Sequence, residues 1–327
     1  MIMTDSEVYQ KQKQEKIDFI NSRLGIIMNF LQDKDITEIM VNQDGTVWIE
    51  SYSGMEKTKV VLNEKMSFGI NQVIASYNGK IITEENPIVS GSLPSGDRFE
   101  GVCKSPTKGH STFTIRKKPE KIFTLDDYQN TKSLTEYQKN FLINQIKNKK
   151  NILVVGGTGT GKTTFLNALL NELKYTEDRV FIIEEVEELI CSVENKVSYL
   201  VTDFVSALDL AKSAMRQRPD RIIMGELRYG HEVEELLKLW NTGHSGGFAT
   251  THANGSEEGL ERLEELLSEV SETPRQKLIG RAIDVIVSVV RQKTEDGRTI
   301  RRINEIIEVV RYDKKEKEYI LNKIKEE

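Results

Sequence analysis

Between positions 7 and 32, apolar residues recur at Val8, Ile17, Ile20, Leu24, Ile27, Met28 and Leu31 among polar neighbours, the spacing of a helix with one core-facing stripe. The period then shortens. Two β-rich runs, Ile36-Thr-Glu-Ile-Met-Val41 and Thr46-Val-Trp-Ile-Glu50, flank Asp44-Gly45, where a hairpin turn is expected. A second helix is predicted over 64–77. From Ile88 to Arg116 short runs are broken by Gly91, Pro94, Gly96, Pro106 and Gly109, the punctuation of further strands. Residues 1–117 thus read as a small α+β domain.

Residues 118–130 are charged and include Pro119, and they read as a linker. Beyond it a helix is predicted over 134–148. Apolar strands over 151–155, 180–184, 221–225, 247–251 and 285–290 then alternate with helical stretches. That alternation predicts an α/β domain with a largely parallel sheet over 131–327. The tail from Tyr312 mixes both signs of charge and reads as a solvated strand or helix edge.

A length of 327 residues suits two domains of ordinary size. With 38% hydrophobic and 30% charged residues, disordered and collagen-like classes are excluded. The net charge of -5 argues against a dominant nucleic-acid surface, which needs clustered positive charge. Cys103 and Cys191 lie far apart and form no C-x-x-C pair, so they read as two reduced thiols. No run approaches the ~18 apolar residues of a membrane span, and Met1–Glu7 lacks the basic-then-apolar layout of a signal peptide. The chain reads as cytoplasmic, meeting a membrane through partners.

Chemistry enters at Gly156-Gly157-Thr158-Gly159-Thr160-Gly161-Lys162-Thr163-Thr164, which fits G-x-x-x-x-G-K-[ST] between a predicted strand and a predicted helix. Glycines let backbone N–H groups curl around a phosphate, and the helix N-terminus adds partial positive charge. Lys162 would reach the β- and γ-phosphates of ATP, and the Thr163 hydroxyl would take Mg²⁺. Such a site needs an acid to order the metal shell and the attacking water. Glu226, at the tip of Arg221-Ile-Ile-Met-Gly-Glu226, fills that place. Glu184 directly follows the apolar run Val180-Phe-Ile-Ile183 and is a second candidate. Glu187 and Glu188 equally suit the first turn of a solvated helix. His244 and His252 bracket a glycine-bearing turn and a short strand. His252 could sense the γ-phosphate, pack in the core or bind metal. Arg98 and Arg116, in the first domain, are either surface salt-bridge partners or guanidiniums for the transferring phosphoryl group.

Taken in order, these blocks resemble the secretion-superfamily ATPases, in the branch serving type IV secretion and bacterial conjugation. The blocks are the phosphate loop, the acidic box Ile183-Glu-Glu-Val-Glu-Glu-Leu189, the second nucleotide motif Met215-Arg-Gln-Arg-Pro-Asp-Arg-Ile-Ile-Met-Gly-Glu-Leu-Arg228, and the histidine box from Thr242 to Asn254. Thr37–Asn42, Leu93–Arg98 and Phe113–Arg116 match more loosely. The resemblance implies a RecA-like P-loop domain preceded by a smaller α+β, PAS-like domain, with nucleotide bound between the two. It implies a hexameric ring, inner-membrane secretion-channel partners, a possible coupling ATPase partner, and no sequence-specific nucleic-acid binding. It also assigns Arg98, Arg116, Arg216, Arg228 and His244 to the nucleotide. The family's acidic box usually reads Glu-Asp; here it is Glu184-Glu185. ATPases of tight-adherence pili, a nucleotide-gated scaffold with little turnover and a motor on single-stranded DNA are the rival readings.

Overall fold

The computed structural model describes residues 5–104, 106–119, 122–202, 204–293 and 299–325. The signal-peptide reading at the start of the chain and the compositional break near 120–121 therefore fall partly outside the described residues. The chain divides into two units, Met1–Lys121 and Ile122–Glu327.

Unit 1 holds helices α1 (Asp5–Leu24), α2 (Met28–Gln32) and α3 (Glu64–Tyr77), with strands β1 (Ile36–Val41), β2 (Thr46–Ser51), β3 (Gly54–Val61), β4 (Ile88–Ser92), β5 (Arg98–Val102) and β6 (Thr112–Arg116). The strands form one antiparallel sheet in the order β3-β2-β1-β6-β5-β4. The expected hairpin at Asp44-Gly45 joins β1 to β2. Gly45 has φ +78°, and a Cβ there would run into Leu62 O, so only glycine closes this turn. Asp44 Oδ1 accepts from the Thr46 N–H at 3.0 Å and the Thr46 hydroxyl at 2.7 Å. Of the stripe expected on the first helix, Ile20 and Leu24 in α1 and the following Ile27 are buried against Ile39, Val47, Ile70 and Ile74. The side chain of Val8 lies outside the described residues.

Unit 2 contains α4 (Leu125–Asn130), α5 (Glu136–Lys147), β7 (Ile152–Gly156), α6 (Lys162–Glu172), β8 (Val180–Glu184), β9 (Lys196–Leu200) and α7 (Ala207–Met215). Then follow β10 (Arg221–Met224), α8 (Gly230–Asn241), β11 (Phe248–His252), α9 (Ser256–Ser268), α10 (Gln276–Ala282), β12 (Val285–Lys293), β13 (Thr299–Asp313) and β14 (Glu318–Lys323). The sheet order is β14-β13-β12-β7-β11-β10-β8-β9. The run from β12 to β9 is parallel, and β13 and β14 extend it antiparallel. Alternate residues of the central strands face opposite layers. Leu153, Val155, Phe181, Ile222 and Ile286 pack with α7 to α10, while Ile152, Val154, Val180, Ile223 and Val285 pack with α4 to α6. Burial on both faces is why these strands read as continuous apolar runs. The result is the α/β class expected, with helices on both faces of the sheet.

Part of the span read as a linker is helical. Thr124 and Asp127 form a capping box at the start of α4, and Leu125 and Tyr128 are buried in unit 2. The tail is the strand β14, and Tyr319 on it donates to Glu264 Oε1 at 2.7 Å.

One buried cation fastens the end of the sheet where the parallel strands begin. Arg221 is 1% exposed. Its Nε lies 2.6 Å from Asp178 Oδ2, and its Nη1 and Nη2 donate to Gly246 O and Ile146 O, each at 2.9 Å. It thereby ties β10 to α5, to the segment before β8 and to the segment before β11. Beside it, the Asn151 Oδ1 accepts from the N–H groups of Gly246 and Gly247, and its Nδ2 donates to Ala282 O.

Candidate active site

The phosphate-loop motif leaves β7 at Gly156 and enters α6 at Lys162, as strand, turn and helix. Gly159 and Gly161 take φ +71° and +95°, the left-handed region that turns successive N–H groups to one side. At Gly156 a Cβ would strike Val289 O and Thr160 Oγ1. A concave run of N–H groups thus sits on the N-terminus of an 11-residue helix. Lys162 is 8% exposed, and its Nζ donates to Gly156 O and Gly157 O, both at 3.0 Å, and meets His252 Nδ1 at 3.2 Å.

Four strands end at this edge: β7 in Gly156, β11 in His252, β10 just before Glu226 and β8 in Glu184. The C-terminal edge of a parallel sheet is where such folds hold ligands. An ammonium only donates, so Lys162 makes His252 Nδ1 the acceptor and leaves the ring proton on Nε2. That nitrogen lies 2.6 Å from Glu226 Oε1. Burial and the charge of Lys162 hold the imidazole below its ordinary range, against the pull of Glu226. Glu226 Oε2 in turn accepts from Arg228 Nε at 2.9 Å and Nη2 at 2.6 Å, and Arg228 Nη1 donates to Glu185. Lys162, His252, Glu226, Arg228 and Glu185 thus stand in one row from the phosphate loop to the acidic box, and within it the buried Glu226 Oε1 lies close to His252 without a hydrogen-bond donor.

Several residues that hold this geometry are given no role by the motif reading. The Thr250 and Thr251 hydroxyls of β11 donate to Gly225 O and Leu227 O, fixing the backbone on either side of Glu226. Asn167 of α6 donates to Glu188 O and accepts from Ile190 N–H, pinning the acidic box. Polar residues inside otherwise apolar elements were the available signal. Arg301 of β13 packs against the loop, its Nε 3.4 Å from Gly159 O.

Arg216 and His244 are further residues of unit 2 that the resemblance assigns to the nucleotide. Arg216 follows α7 at the edge where β10 begins, and His244 lies before the start of β11, near the Asn151 contacts. A strand of about five residues spans about 16 Å, so both stand across the sheet from the phosphate loop of their own unit. Arg228, expected at the nucleotide, is committed to two carboxylates. Glu187 and Glu188 start no helix; the Glu188 and Leu189 N–H groups both donate to Glu184 Oε2 at 2.9 Å. Arg98 and Arg116 belong to unit 1, where they face each other across β5 and β6, and Arg116 lies 3.4 Å from Glu38.

With these positions established, the comparisons decide the family. The family model described as type II/IV secretion system protein matches residues 21–322. The chain belongs to that family. A probable conjugal transfer protein TrbB of Sinorhizobium fredii is 39% identical over 286 residues, covering 86% of each chain. The type IV secretion system protein VirB11 of Bartonella quintana is 30% identical over 335 residues, covering 88% of this chain and 93% of its own. Two solved structures show the same fold. The Legionella pneumophila ATPase DotB has a TM-score of 0.61 at 21% identity, covering 87% of this chain and 79% of its own. The pilus retraction motor PilT, solved with ADP, has a TM-score of 0.61 at 18% identity, with 85% and 80% covered. The resemblance read from the ordered motifs is thereby borne out at the level of the type IV secretion and conjugal-transfer branch.

In this secretion-family chain the donor set at the loop suits a phosphate-borne cation. Mg²⁺ keeps most of its waters and takes one or two protein oxygens beside phosphate oxygens. The half-buried Thr163 in the first turn of α6 can supply one. No cluster of three His, Cys, Asp or Glu among the described residues could cage a metal by itself. No helix among them is long and apolar enough to cross a membrane.

Glu184 carries a testable electrostatic signature. Burial pushes its carboxyl up to about 7, with help from the charges of Glu187 and Glu188, although two backbone donors pull the other way. The folded protein thus holds a proton that the unfolded chain releases near pH 4.3. Stability from this group is present below the unfolded value and fades as pH rises through about 7. Glu184→Gln is therefore expected to gain on the parent by about 1–3 kcal/mol between pH 5 and pH 8. Urea midpoints at the two pH values check it, and a pH-independent difference would sink it.

Proposed function

We propose that this chain hydrolyses ATP with Mg²⁺ and works as a subunit of a hexameric ring motor, energising a type IV secretion or conjugal transfer apparatus at the inner membrane. The observation that carries the reading is the convergence on one strand edge of a phosphate loop, Lys162, His252 and Glu226. In that reading the loop N–H groups and Lys162 hold the β- and γ-phosphates, and the Thr163 hydroxyl holds Mg²⁺. The metal, when bound, neutralises phosphate charge. Glu226 orients the attacking water, and Glu184 is a second acid beside it. His252, between Lys162 and Glu226, reports the γ-phosphate to the acid. Arg98 and Arg116 are the candidate guanidiniums for the phosphates. The conjugal-transfer relative at 39% identity favours that branch over pilus assembly. The partners would be copies of this chain and inner-membrane channel proteins, with a cytoplasmic, peripheral location.

Glu226→Gln is expected to bind ATP as the parent does while kcat falls about 10²–10⁴-fold, because the amide cannot accept the water's proton. Nucleotide titration and steady-state turnover check it, and near-normal kcat would remove Glu226 from the mechanism. A specific rate that climbs with protein concentration supports the ring. Negligible parental turnover with tight ATP binding would instead favour the nucleotide-gated scaffold.

A further inference from the structure

Glu185 has no part in the reading above, although the structure places it one residue past the end of β8 and in contact with Arg228. The ends of β8 and β10 are neighbours in the sheet, and each carries an acid. Two carboxylates on adjacent parallel strands repel, and the Arg228 guanidinium lies between them. Its Nε and Nη2 both go to a single oxygen, Glu226 Oε2, and Nη1 goes to Glu185 Oε2. With two donors on Oε2, the Glu226 carboxylate is held in one rotation, and Oε1 is left a buried acceptor without a hydrogen-bond donor, 2.6 Å from His252 Nε2.

We propose that Glu185 is a positioning residue for ATP hydrolysis, acting through Arg228 to fix the orientation of Glu226. The inference rests on the ATPase reading. It also moves Arg228 from the phosphates to the acids. The guanidinium side chain is 42% exposed and long, so without a second anchor it samples several rotamers. Glu185 supplies that anchor from the neighbouring strand. Arg suits the role because its planar fork can serve two carboxylates at once, which a point-like ammonium cannot. An exposed ion pair of no catalytic consequence would make the same contact but leave turnover alone.

Steady-state kinetics on the full chain separate the two. Glu185→Gln is expected to lower kcat about 10-fold, with the KM for ATP within about 2-fold and the melting temperature within about 3 °C of the parent. Glu185→Asp, the residue usual in the family, is expected to keep kcat within about 3-fold, whereas Arg228→Lys is not. The double variant Glu185→Gln/Arg228→Gln should be no slower than Arg228→Gln alone, since Glu185 acts only through that arginine. Parental kcat in Glu185→Gln, or additive losses in the double variant, would overturn the positioning role. Lys162→Ala run alongside keeps the two readings apart. Turnover that it abolishes but Glu185→Gln spares sinks the clamp alone. Turnover that is absent from the parent, or indifferent to Lys162→Ala, sinks the ATPase reading and the clamp with it.

Discussion

Lys162→Ala should lose ATP turnover by at least about 10³-fold, the cost of removing a preorganised charge from a transferring phosphoryl group. The geometry makes the loss specific. The lysine opens α6, and its Nζ rests on the carbonyls of Gly156 and Gly157 and on His252, which in turn meets Glu226. Alanine removes the ammonium proposed to hold the phosphates and also the donor that sets the tautomer of His252. The fold should survive, since alanine is the best helix former and the loop's turn is made by Gly159 and Gly161. The expected result is a folded protein with weak nucleotide binding and no measurable turnover. Circular dichroism, nucleotide titration and phosphate release check it together. A folded variant that keeps a tenth of parental turnover would refute the role of the loop.

Arg221→Met should destabilise unit 2 by about 3–5 kcal/mol, the cost of breaking a buried pair by removing one partner. The substitution leaves Asp178, Gly246 O and Ile146 O without the guanidinium that joins them, and unsatisfied buried acceptors are costly. Lys149, 2.8 Å from Asp178 Oδ1, still balances the carboxylate's charge, which places the effect toward the lower end. The buried Trp240, whose Nε1 donates to Ile222 O at 3.1 Å, reports on this region. In a Trp48→Phe background, its emission in urea follows unit 2 alone. A change below about 1 kcal/mol would mean that Arg221 is replaceable by packing.

Much of this site was legible because parallel strands buried on both faces announce themselves. Val180–Ile183 and Ile222–Met224 are uninterrupted apolar runs, and an acid next to such a run must lie at a strand end. Glu184 and Glu226 follow from that logic, and Lys162 from the strand-loop-helix context. A motif gives proximity in sequence but no direction along the strand, as Arg216 and His244 show. Each precedes its strand, so the strand's length carries it to the far edge. Arg221 went unnoticed because an arginine opening an apolar run looks like a boundary, and only the fold shows three segments converging on it. Strand β9, at the edge of the sheet, alternates exposed and half-buried residues over Lys196–Leu200; with no buried position it lacks the continuous apolar run that marked the central strands. Helix α4 was hidden by the charged residues around Thr124, where a capping box rather than an apolar stripe begins the helix.

Strand β7 sits in the middle of the sheet of unit 2. Ile152 pairs with Phe248 on one side and with Val285 on the other. On a ribosome that strand emerges long before either neighbour, and its run of Ile, Leu, Val and Val stays unpaired until they follow. Non-local pairing of this kind is slow to form and exposes sticky surface meanwhile. Nascent chains stalled before Phe248 carry the whole phosphate-loop motif without the strands that shape it. Such chains are expected to be more prone to aggregate than chains that extend past Val290, where both neighbours of β7 have followed.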